Sequence, residues 1–328
     1  MSIRVGIVGY GNLGRGVEQA LARQQDLHLV GIYTRRDPLD VTPASGDVHV
    51  GRVDELADED TRAGIDVLVL CGGSRLDLPE QGPELARSYT TVDSFDTHAR
   101  IPEYFAAVDA AARAGNTTAI ISVGWDPGLF SLNRVYAQSV LPQGTTATFW
   151  GKGLSQGHSD AVRRVPGVAA GVQYTVPNEE AIARVRAGTG ADLATRDKHT
   201  RHCYVVLADG ADAEEVRSAI VTMPDYFADY DTTVTFISAE ELRRDHSAMP
   251  HGGVVIHSGE TSPGTVNSIE YRLTLASNPE FTASVLVAYA RAAHRLSSAG
   301  EHGAKTVYDI APGLLSPRSP EQLRAGEL

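Results

Sequence analysis

The sequence predicts an α/β protein in which a doubly wound parallel sheet is followed by a second domain of the α+β class. Over the first 125 residues, short apolar runs with strand composition alternate with helical segments, as in βαβ units. A glycine-rich turn at residues 9–14 directly follows the first run. After residue 128 the strand-like runs become longer and alternate more regularly, which is typical of a mixed or antiparallel sheet.

Composition and charge exclude several classes of protein. The chain has 328 residues, a length typical of about two domains. Because 42% of the residues are hydrophobic, it can form folded cores and is not a disordered chain. It contains no run of 18 apolar residues, so no transmembrane helix is expected. A net charge of −12 makes nucleic acids and anionic membranes poor partners.

The small number of cysteines bears on the cellular compartment in which the protein is expected. Cys71 and Cys203 are the only two, and neither belongs to a CxxC pair, so no disulfide framework is predicted. The chain opens on a strand pattern with no signal peptide before it. Both observations predict a cytoplasmic protein.

The predicted elements follow the chain in a regular order. In the first part, strands are predicted at residues 4–8, 28–33, 47–50, 66–70, 90–93 and 118–123, with helices at 13–23, 79–88 and 101–114. In the second part, strands are predicted at residues 145–150, 172–176, 202–207, 232–237, 254–257 and 267–275. A last helix begins at Asn278-Pro279 and is closed by Gly300.

The glycine-rich turn is a GxGxxG sequence between a predicted strand and a predicted helix. Its residues are Gly9, Tyr10, Gly11, Asn12, Leu13 and Gly14. In a Rossmann-like fold the first glycine permits the tight turn, the second admits the pyrophosphate, and the third allows helix and strand to pack closely. The helix N-terminus then binds the anion. This context predicts a dinucleotide-binding domain over residues 1–125.

The end of the second strand indicates which dinucleotide is bound. An enzyme that uses NAD carries an acidic residue there, whereas this chain has Thr34, Arg35 and Arg36. A hydroxyl and two guanidinium groups suit the 2′-phosphate of NADP. The alternative is that both arginines are ordinary solvated charges. NADP is therefore expected rather than NAD.

Further candidates follow other predicted parallel strands, where ligands bind in doubly wound sheets. Two carboxylates in these segments, Asp96 and Asp126, could hold an ammonium group or accept its proton. The alternative is turn chemistry, in which aspartate is common. The complete segments are Cys71, Gly72, Gly73 and Ser74; Asp93, Ser94, Phe95 and Asp96; and Val123, Gly124, Trp125, Asp126, Pro127 and Gly128.

In the second domain, residues 150–160 predict a polar, glycine-rich loop that could line a site. His158, Ser159 and Asp160 are triad residue types, but three adjacent residues cannot form a triad and no GxSxG elbow exists. The eleven histidines form no HExxH, so no metal site is expected. Arg201 is a candidate carboxylate clamp or, alternatively, a surface residue before a strand.

Two further segments of the second domain need an interpretation. Residues 249–253 predict a loop that presents His251 to a pocket. Asn278 precedes Pro279, so it suits the N-cap of the last helix.

With these residues taken together, the chain resembles the meso-diaminopimelate dehydrogenase family over essentially its whole length. The first shared motif, VGYGNLGR at residues 8–15, occurs in many dehydrogenases. Four others are specific in this order: GWDPG at 124–128, GLSQGHSD at 153–160, TMPDYF at 222–227 and MPHGG at 249–253.

The resemblance implies a function and its residues. The family reversibly converts meso-2,6-diaminopimelate, water and NADP⁺ to L-2-amino-6-oxopimelate, ammonia and NADPH, in lysine biosynthesis, and it oxidises only the D-configured carbon. It is homodimeric, and its second domain supplies substrate and dimer contacts. By resemblance, residues 126–279 form that domain and residues 280–328 return to the first. NADP binding is implied for residues 10–13, 34–36, 71–74, 94–96 and 123–127. Substrate binding is implied for Asp96, Asp126, Trp150, Gln156, Thr175, Arg201, His251 and Asn278.

A physical hypothesis follows for a substrate with an amino acid at each end. Asp96 and Asp126 are placed near the amine of the D-centre, where one of them or a water molecule accepts a proton. Arg201, with Thr175 and His251, binds the far carboxylate. Two alternatives stay open: a broader NADP-dependent D-amino-acid dehydrogenase, and a non-catalytic NADPH-binding sensor. His158 is a further candidate proton acceptor.

Overall fold

The structure, a computed structural model, describes residues 2–190 and 192–328, without the side chains of Gln156 and Thr195. The chain forms two compact units. One comprises Met1–Leu132 and Pro279–Leu328, and the other comprises Asn133–Asn278.

The elements are named in chain order. The first part contains β1 (Ile3–Val8), α1 (Asn12–Leu21), β2 (Leu27–Thr34), β3 (His49–Arg52), α2 (Glu59–Ala63), β4 (Val67–Leu70), α3 (Leu78–Ala86), β5 (Thr91–Asp93), α4 (Ile101–Gly115), β6 (Thr118–Ile120) and α5 (Leu129–Val140). The middle part contains β7 (Thr145–Trp150), β8 (Gly153–Leu154), α6 (Gln156–Arg163), β9 (Val168–Pro177), α7 (Glu179–Arg186), α8 (Thr195–Lys198), β10 (His199–Leu207), α9 (Ala213–Val221), β11 (Thr232–Phe236), α10 (Ala239–Asp245), β12 (His251–Ser262) and β13 (Thr265–Leu275). The last part contains α11 (Asn278–Ser298), β14 (Gly303–Lys305), α12 (Pro312–Leu315) and α13 (Pro320–Glu327).

The first unit is built on a seven-stranded sheet in the order β14-β6-β5-β4-β1-β2-β3. Every neighbouring pair in it is parallel. This confirms the predicted doubly wound parallel sheet, whose strand order reverses beside β1. The seventh strand, β14, comes from the C-terminal part of the chain and had not been predicted.

Helices cover both faces of this sheet because side chains alternate along each strand. Val5 and Ile7 of β1 pack in a buried cluster with α1 and α11, whereas Val8 packs in a second cluster with α3 and α4. Helix α1 lies very close to α11, since a Cβ atom on Gly16 would approach that of Ala283 to 2.9 Å.

Two predicted boundaries illustrate local control of the fold. Helix α4 ends at Gly115, and the following Asn116 adopts a left-handed conformation with φ 52°, as expected for a C-cap. Strand β6 ends at Ile120 rather than at residue 123, because Ser122 has a φ of 57° that cannot continue an extended chain.

The second unit contains two sheets, whereas the sequence had suggested one. The four-stranded sheet has the order β11-β10-β9-β8; β10 and β11 are parallel, and its other pairs are antiparallel. The three-stranded sheet β13-β12-β7 is antiparallel. Each sheet has its own core: α6 and α9 pack on the first sheet, and α7 packs on the second.

An ion pair between a buried arginine and a half-buried aspartate joins α11 to the turn before β2. The Arg291 side chain is only 2% exposed and donates to both carboxylate oxygens of Asp26, at 2.5 and 2.7 Å. It also donates to the side-chain oxygen of Gln24 and the carbonyl oxygen of Leu315. These hydrogen bonds from Arg291 hold the pKa of Asp26 below its ordinary value.

We predict that Arg291→Met lowers the free energy of unfolding by about 1–3 kcal/mol, because the half-buried Asp26 carboxylate and two further acceptors lose their donor. The matched control is Arg4→Met, which breaks an Arg–Asp pair whose arginine is 43% exposed. That variant should lose less than about 1 kcal/mol. Urea unfolding of both variants measures the difference, and equal losses would contradict the prediction.

Candidate active site

The loops predicted to bind the cofactor lie together at the carboxyl edge of the parallel sheet. They follow β1, β2, β4, β5 and β6, which are consecutive in the sheet. Backbone hydrogen bonds connect them: Gly9 N–H donates to Tyr33 C=O, Cys71 N–H donates to Val8 C=O, and Val123 N–H donates to Asp93 C=O, each at 2.8 Å. The structure therefore places residues 9–14, 34–36, 71–74, 94–96 and 123–127 along one edge.

The three glycines of the turn occupy three different environments. Gly9 has a φ of +90°, in the left-handed region that glycine favours. A Cβ atom on Gly14 would lie 2.2 Å from the carbonyl oxygen of Gly9, so helix and turn are in direct contact. Around Gly11, in contrast, no atom would lie within 4 Å of a Cβ. The free space at Gly11 and the adjoining helix start, which has no acidic residue in its first turn, fit an anionic ligand.

The arginines after β2 are held at the same edge. The Arg36 guanidinium donates to the carbonyl oxygen of Tyr10 at 2.6 Å, and its backbone N–H donates to Thr34 Oγ1 at 3.1 Å. Arg35 pairs with Asp77 at 2.6 Å. A cavity of about 300 Å³ opens between these groups, and the residues that line it are Val8, Gly9, Tyr10, Gly11, Thr34, Arg35, Arg36, Val53, Cys71, Gly72, Asp77 and Gln81.

Glu18 is a buried acidic residue of α1 that sequence reasoning missed. Its carboxylate accepts hydrogen bonds from the Tyr10 hydroxyl, the Ser45 hydroxyl and, at 2.8 Å, the Ser45 backbone N–H. Burial acts to raise the pKa of Glu18, but the hydrogen bonds from Ser45 and Tyr10 outweigh it and lower that pKa. Glu18 therefore fixes the tyrosine whose carbonyl oxygen holds Arg36. Its position on the buried stripe of α1 is the signal that could have revealed it.

Asp93, at the end of β5, is fully buried and connects two of the loops. It accepts hydrogen bonds from Phe95 N–H at 2.9 Å, Ser122 N–H at 3.1 Å and the Tyr104 hydroxyl at 2.7 Å. Burial raises the pKa of Asp93 to about 6. The loop that contains Asp96 is thus tied to the segment that precedes Asp126.

The two carboxylates predicted to act at the amine differ in exposure. Asp96 is exposed, and its backbone N–H donates to the Ser74 hydroxyl at 3.0 Å. Asp126 is half-buried and lies beside Trp125, whose ring contacts Phe130 edge-on at 5.3 Å. Both carboxylates thus belong to loops that the parallel sheet aligns.

In the second unit, strand pairing brings several predicted substrate residues together. Thr175 of β9 lies opposite Arg201 of β10 on one side and Gly153 of β8 on the other. A Cβ atom on Gly153 would lie 2.5 Å from Cγ of His251, so the imidazole packs against β8. Trp150, the last residue of β7, is paired with Gly253 of β12.

Arg201 carries a buried charge that pairs with no carboxylate among the described side chains. It is 7% exposed and lies within β10, so the alternative that it is a surface residue before a strand is wrong. Its Nη1 donates to Thr175 Oγ1 at 2.5 Å, while its buried Nε has no hydrogen-bond partner among the described residues. Burial lowers the pKa of Arg201. Because an unpaired buried cation is unfavourable, this site is suited to an anionic group of a ligand.

Two histidines near Arg201 are held neutral. His199 Nε2 accepts the Trp150 backbone N–H at 2.8 Å, and the two rings stack at 5.4 Å. Burial and the positive charge of Arg201 lower the pKa of both His158 and His199 to about 4. His158, a candidate proton acceptor, is therefore a weak base at neutral pH.

Two predicted loops are shorter than expected. Residues 150–160 contain β8 and the start of α6, because residues 153–154 pair with β9 instead of remaining irregular. Residues 251–253 belong to β12, so that loop ends at Pro250. Asn278 is the first residue of α11, and its N–H donates to Met249 C=O at 2.9 Å. The side chain of Gln156 lies outside the described residues.

Within residues 2–190 and 192–328, no group of three or more His, Cys, Asp or Glu side chains could hold a metal ion. In the same ranges no helix is both long enough and apolar enough to span a membrane. Cys71 and Cys203 are both free thiols.

Two glycine variants test the dinucleotide turn. Gly11→Ala should fold with an unchanged thermal midpoint, because its methyl group meets no atom within 4 Å. It should weaken NADP⁺ binding at least about tenfold, because the methyl group occupies the space for the pyrophosphate. Gly14→Ala should instead lower stability by about 1–3 kcal/mol through its clash with Gly9. Thermal unfolding and NADP⁺ titration separate the two effects, and wild-type NADP⁺ affinity in Gly11→Ala would contradict the assignment.

Because these histidines are neutral in the folded protein, its free energy of unfolding should fall at acidic pH. Because the pKa of folded His199 is about 4, below the value of about 6.5 in an unfolded chain, its contribution to stability is complete above pH 6.5 and is lost as the pH falls towards 4. His199→Gln should reduce the loss of unfolding free energy between pH 7 and 5 by up to about 1.4 kcal/mol per pH unit. Exposed His98→Gln is the control. Identical pH profiles for the two variants would contradict this.

Comparison with known proteins identifies the family of this chain. Residues 124–277 match the model of the diaminopimelic acid dehydrogenase C-terminal domain. Meso-diaminopimelate D-dehydrogenase of Lysinibacillus sphaericus is 61% identical over 323 residues, 98% of both chains.

Solved structures agree. The DAP dehydrogenase of C. glutamicum in complex with DAP superimposes with a TM-score of 0.91 at 48% identity, covering 100% of this chain and 99% of that one. An engineered D-amino acid dehydrogenase bound to NADP⁺ superimposes with a TM-score of 0.86 at 46% identity, covering 100% of both chains. Near-complete coverage at this identity shows common descent as well as a common fold, and the chain belongs to the meso-diaminopimelate D-dehydrogenase family.

Proposed function

We propose that this chain catalyses the reversible, NADP-dependent oxidative deamination of meso-2,6-diaminopimelate at its D-centre, giving L-2-amino-6-oxopimelate and ammonia. The observation that carries the proposal is buried Arg201, which has a hydroxyl partner and no carboxylate among the described side chains. A substrate with a second carboxylate far from the reacting carbon supplies the missing partner. The similarity to a relative in complex with DAP supports the same substrate.

The residues at the carboxyl edge of the parallel sheet would hold NADP. The free space at Gly11 suits the pyrophosphate, and Thr34, Arg35 and Arg36 suit the 2′-phosphate. Bound NADP⁺ supplies the hydride acceptor for the α-carbon of the D-centre. The remaining cofactor contacts would come from Tyr10, Asn12, Leu13, Cys71, Gly72, Gly73, Ser74, Ser94, Phe95, Val123, Gly124, Trp125 and Pro127.

Asp96 and Asp126 would act at the reacting amine. The ammonium group must lose a proton before hydride departure, and a carboxylate, or a water molecule that it holds, is a suitable acceptor. Asp93 fixes the loops around both residues through Phe95 and Ser122. Either aspartate can also orient the amine by its negative charge.

Arg201 and Thr175 would bind the carboxylate of the L-centre, with His251 beside them. Arg201 Nε and the edge of its guanidinium offer the planar donor pair that a carboxylate accepts. The other proposed substrate contacts are Trp150, Gln156 and Asn278. Binding at this remote end aligns the reacting end, so it contributes to kcat as well as to KM.

A second candidate function is a broader NADP-dependent D-amino-acid dehydrogenase. It is favoured by the engineered D-amino acid dehydrogenase at 46% identity. The two functions differ in whether the far carboxylate is required, which a comparison of substrates decides.

We further propose a dinucleotide-binding domain at residues 1–125 with 280–328, and a substrate-binding and dimerisation domain at 126–279. Exposed Val135, Tyr136 and Val140 on α5 support a homodimer, since clustered apolar side chains favour a protein interface. The acidic surface supports the absence of nucleic acid partners. The free cysteines support a cytoplasmic location.

We predict strong turnover of meso-diaminopimelate with NADP⁺ and little turnover of the LL isomer or D-alanine. With NAD⁺ in place of NADP⁺, little turnover of meso-diaminopimelate is expected. Arg201→Met should lower kcat/KM for meso-diaminopimelate by about 100-fold or more, because it removes a charge-assisted hydrogen-bond pair. Its thermal stability should be equal or higher, because an uncompensated buried charge is replaced by an apolar chain of similar volume. NADPH absorbance and thermal unfolding measure both effects.

The controls separate the candidates. Arg217→Met changes another arginine of the second unit, one paired with Glu214 and outside the proposed site, and should retain turnover. Unchanged kcat/KM in Arg201→Met would overturn the clamp, and comparable rates with D-alanine would favour the broader dehydrogenase. No turnover of any D-amino acid by the unchanged protein would overturn both functions.

A further inference from the structure

The guanidinium of Arg201 lies over an aromatic ring from a different segment of the chain. Its central carbon is 4.0 Å from the centroid of the Tyr230 ring, well within the range of a cation–π contact. Tyr230 lies just before β11, in the segment after residues 222–227. Tyr230 is not among the residues proposed above to bind the substrate or the cofactor.

The position of this ring is fixed by its own backbone. Tyr230 N–H donates to Phe227 C=O at 3.0 Å, and Phe227 is fully buried in the core of the four-stranded sheet. The backbone carbonyl oxygen of the next residue, Asp231, accepts a hydrogen bond from the backbone N–H of Arg201 at 2.9 Å. The ring and the arginine are therefore held on adjoining segments that cannot shift independently.

The chemistry of the contact differs from that of an ion pair. A carboxylate in this position would neutralise Arg201 and compete with an anionic ligand for its N–H groups. An aromatic face stabilises the buried cation through its quadrupole and leaves those N–H groups available. The neighbouring His158 and His199 are neutral as well. Among the described residues, the side-chain hydrogen bond of Arg201 goes to a hydroxyl and none goes to a carboxylate.

The ring also limits how the guanidinium can turn. Nη1 donates to Thr175 Oγ1, and this hydrogen bond holds one end of the guanidinium. Contact with a ring face adds a second constraint and favours one plane for the group. Nε, which has no partner within the described chain, then keeps one direction.

We propose that Tyr230 is a positioning residue that orients Arg201 for the far carboxylate of the substrate and thereby contributes to selection of a diacid. This inference rests on the proposed role of Arg201 in binding that carboxylate. Tyr230 opposes the lowering of the Arg201 pKa by burial. We assign its positioning effect to the ring face, so a phenylalanine should replace it and an aliphatic residue should not.

The test is a double-mutant cycle with Tyr230→Leu, Tyr230→Phe and Arg201→Met. Tyr230→Leu should raise KM for meso-diaminopimelate about tenfold, while its affinity for NADP⁺ is unchanged. Tyr230→Phe should stay within about threefold of the parent. In the Arg201→Met background, Tyr230→Leu should change kcat/KM less than about twofold, because the group that it orients is absent.

Each contrary outcome overturns the inference. An unchanged KM in Tyr230→Leu removes the positioning role, and a loss in Tyr230→Phe as large as in Tyr230→Leu assigns the effect to the hydroxyl group. A full additional loss in the Arg201→Met background indicates a structural role that does not pass through Arg201. If the unchanged protein does not turn over meso-diaminopimelate, the proposed function itself fails, whereas normal turnover with any of the first three results rejects only the role of Tyr230.

Discussion

The parallel pairing of β1 with β2 on one side and β4 on the other is the constraint on which the dinucleotide site depends. It places the ends of three strands side by side, and the hydrogen bonds of Gly9 and Cys71 continue the ladder into the loops. A slip of one residue would turn Val5 and Ile7 away from their helices, so the register is strongly fixed. The cavity beside Arg36 depends on this register, because residues that follow β1, β2 and β4 line it together.

Two buried carboxylates also fix the loops at the carboxyl edge of the sheet. Glu18 ties α1 to Tyr10 and Ser45 at one end of the edge, and Asp93 ties the loops after β5 and β6 at the other. The groups that donate hydrogen bonds to these two carboxylates all belong to the first unit. Their role is structural, since each carboxylate accepts backbone N–H groups and so fixes the position of a loop.

The second unit contrasts with the first, because it contains a buried charge that lacks an ionic partner among the described residues. Buried Arg201 contacts the Thr175 hydroxyl and the Tyr230 ring, and its Nε has no hydrogen-bond partner among the described residues. This arrangement is unfavourable until a carboxylate binds. Neutral His158 and His199 add no counter-charge, since burial and Arg201 itself lower their pKa values. Stability has thus been given up at one position where binding can recover it.

The sequence by itself determined the parallel sheet, the dinucleotide turn, the preference for NADP and, through ordered motifs, the family. These features are encoded by neighbouring residues: the GxGxxG spacing, Arg35 and Arg36 after a strand, and the alternation of short apolar runs. The tertiary structure decided the added strand β14, the two separate sheets of the second unit, the burial of Glu18 and Asp93, and the contact of Tyr230 with Arg201. Those features join residues far apart in the chain, and strand register and side-chain packing, which no local pattern records, bring them together.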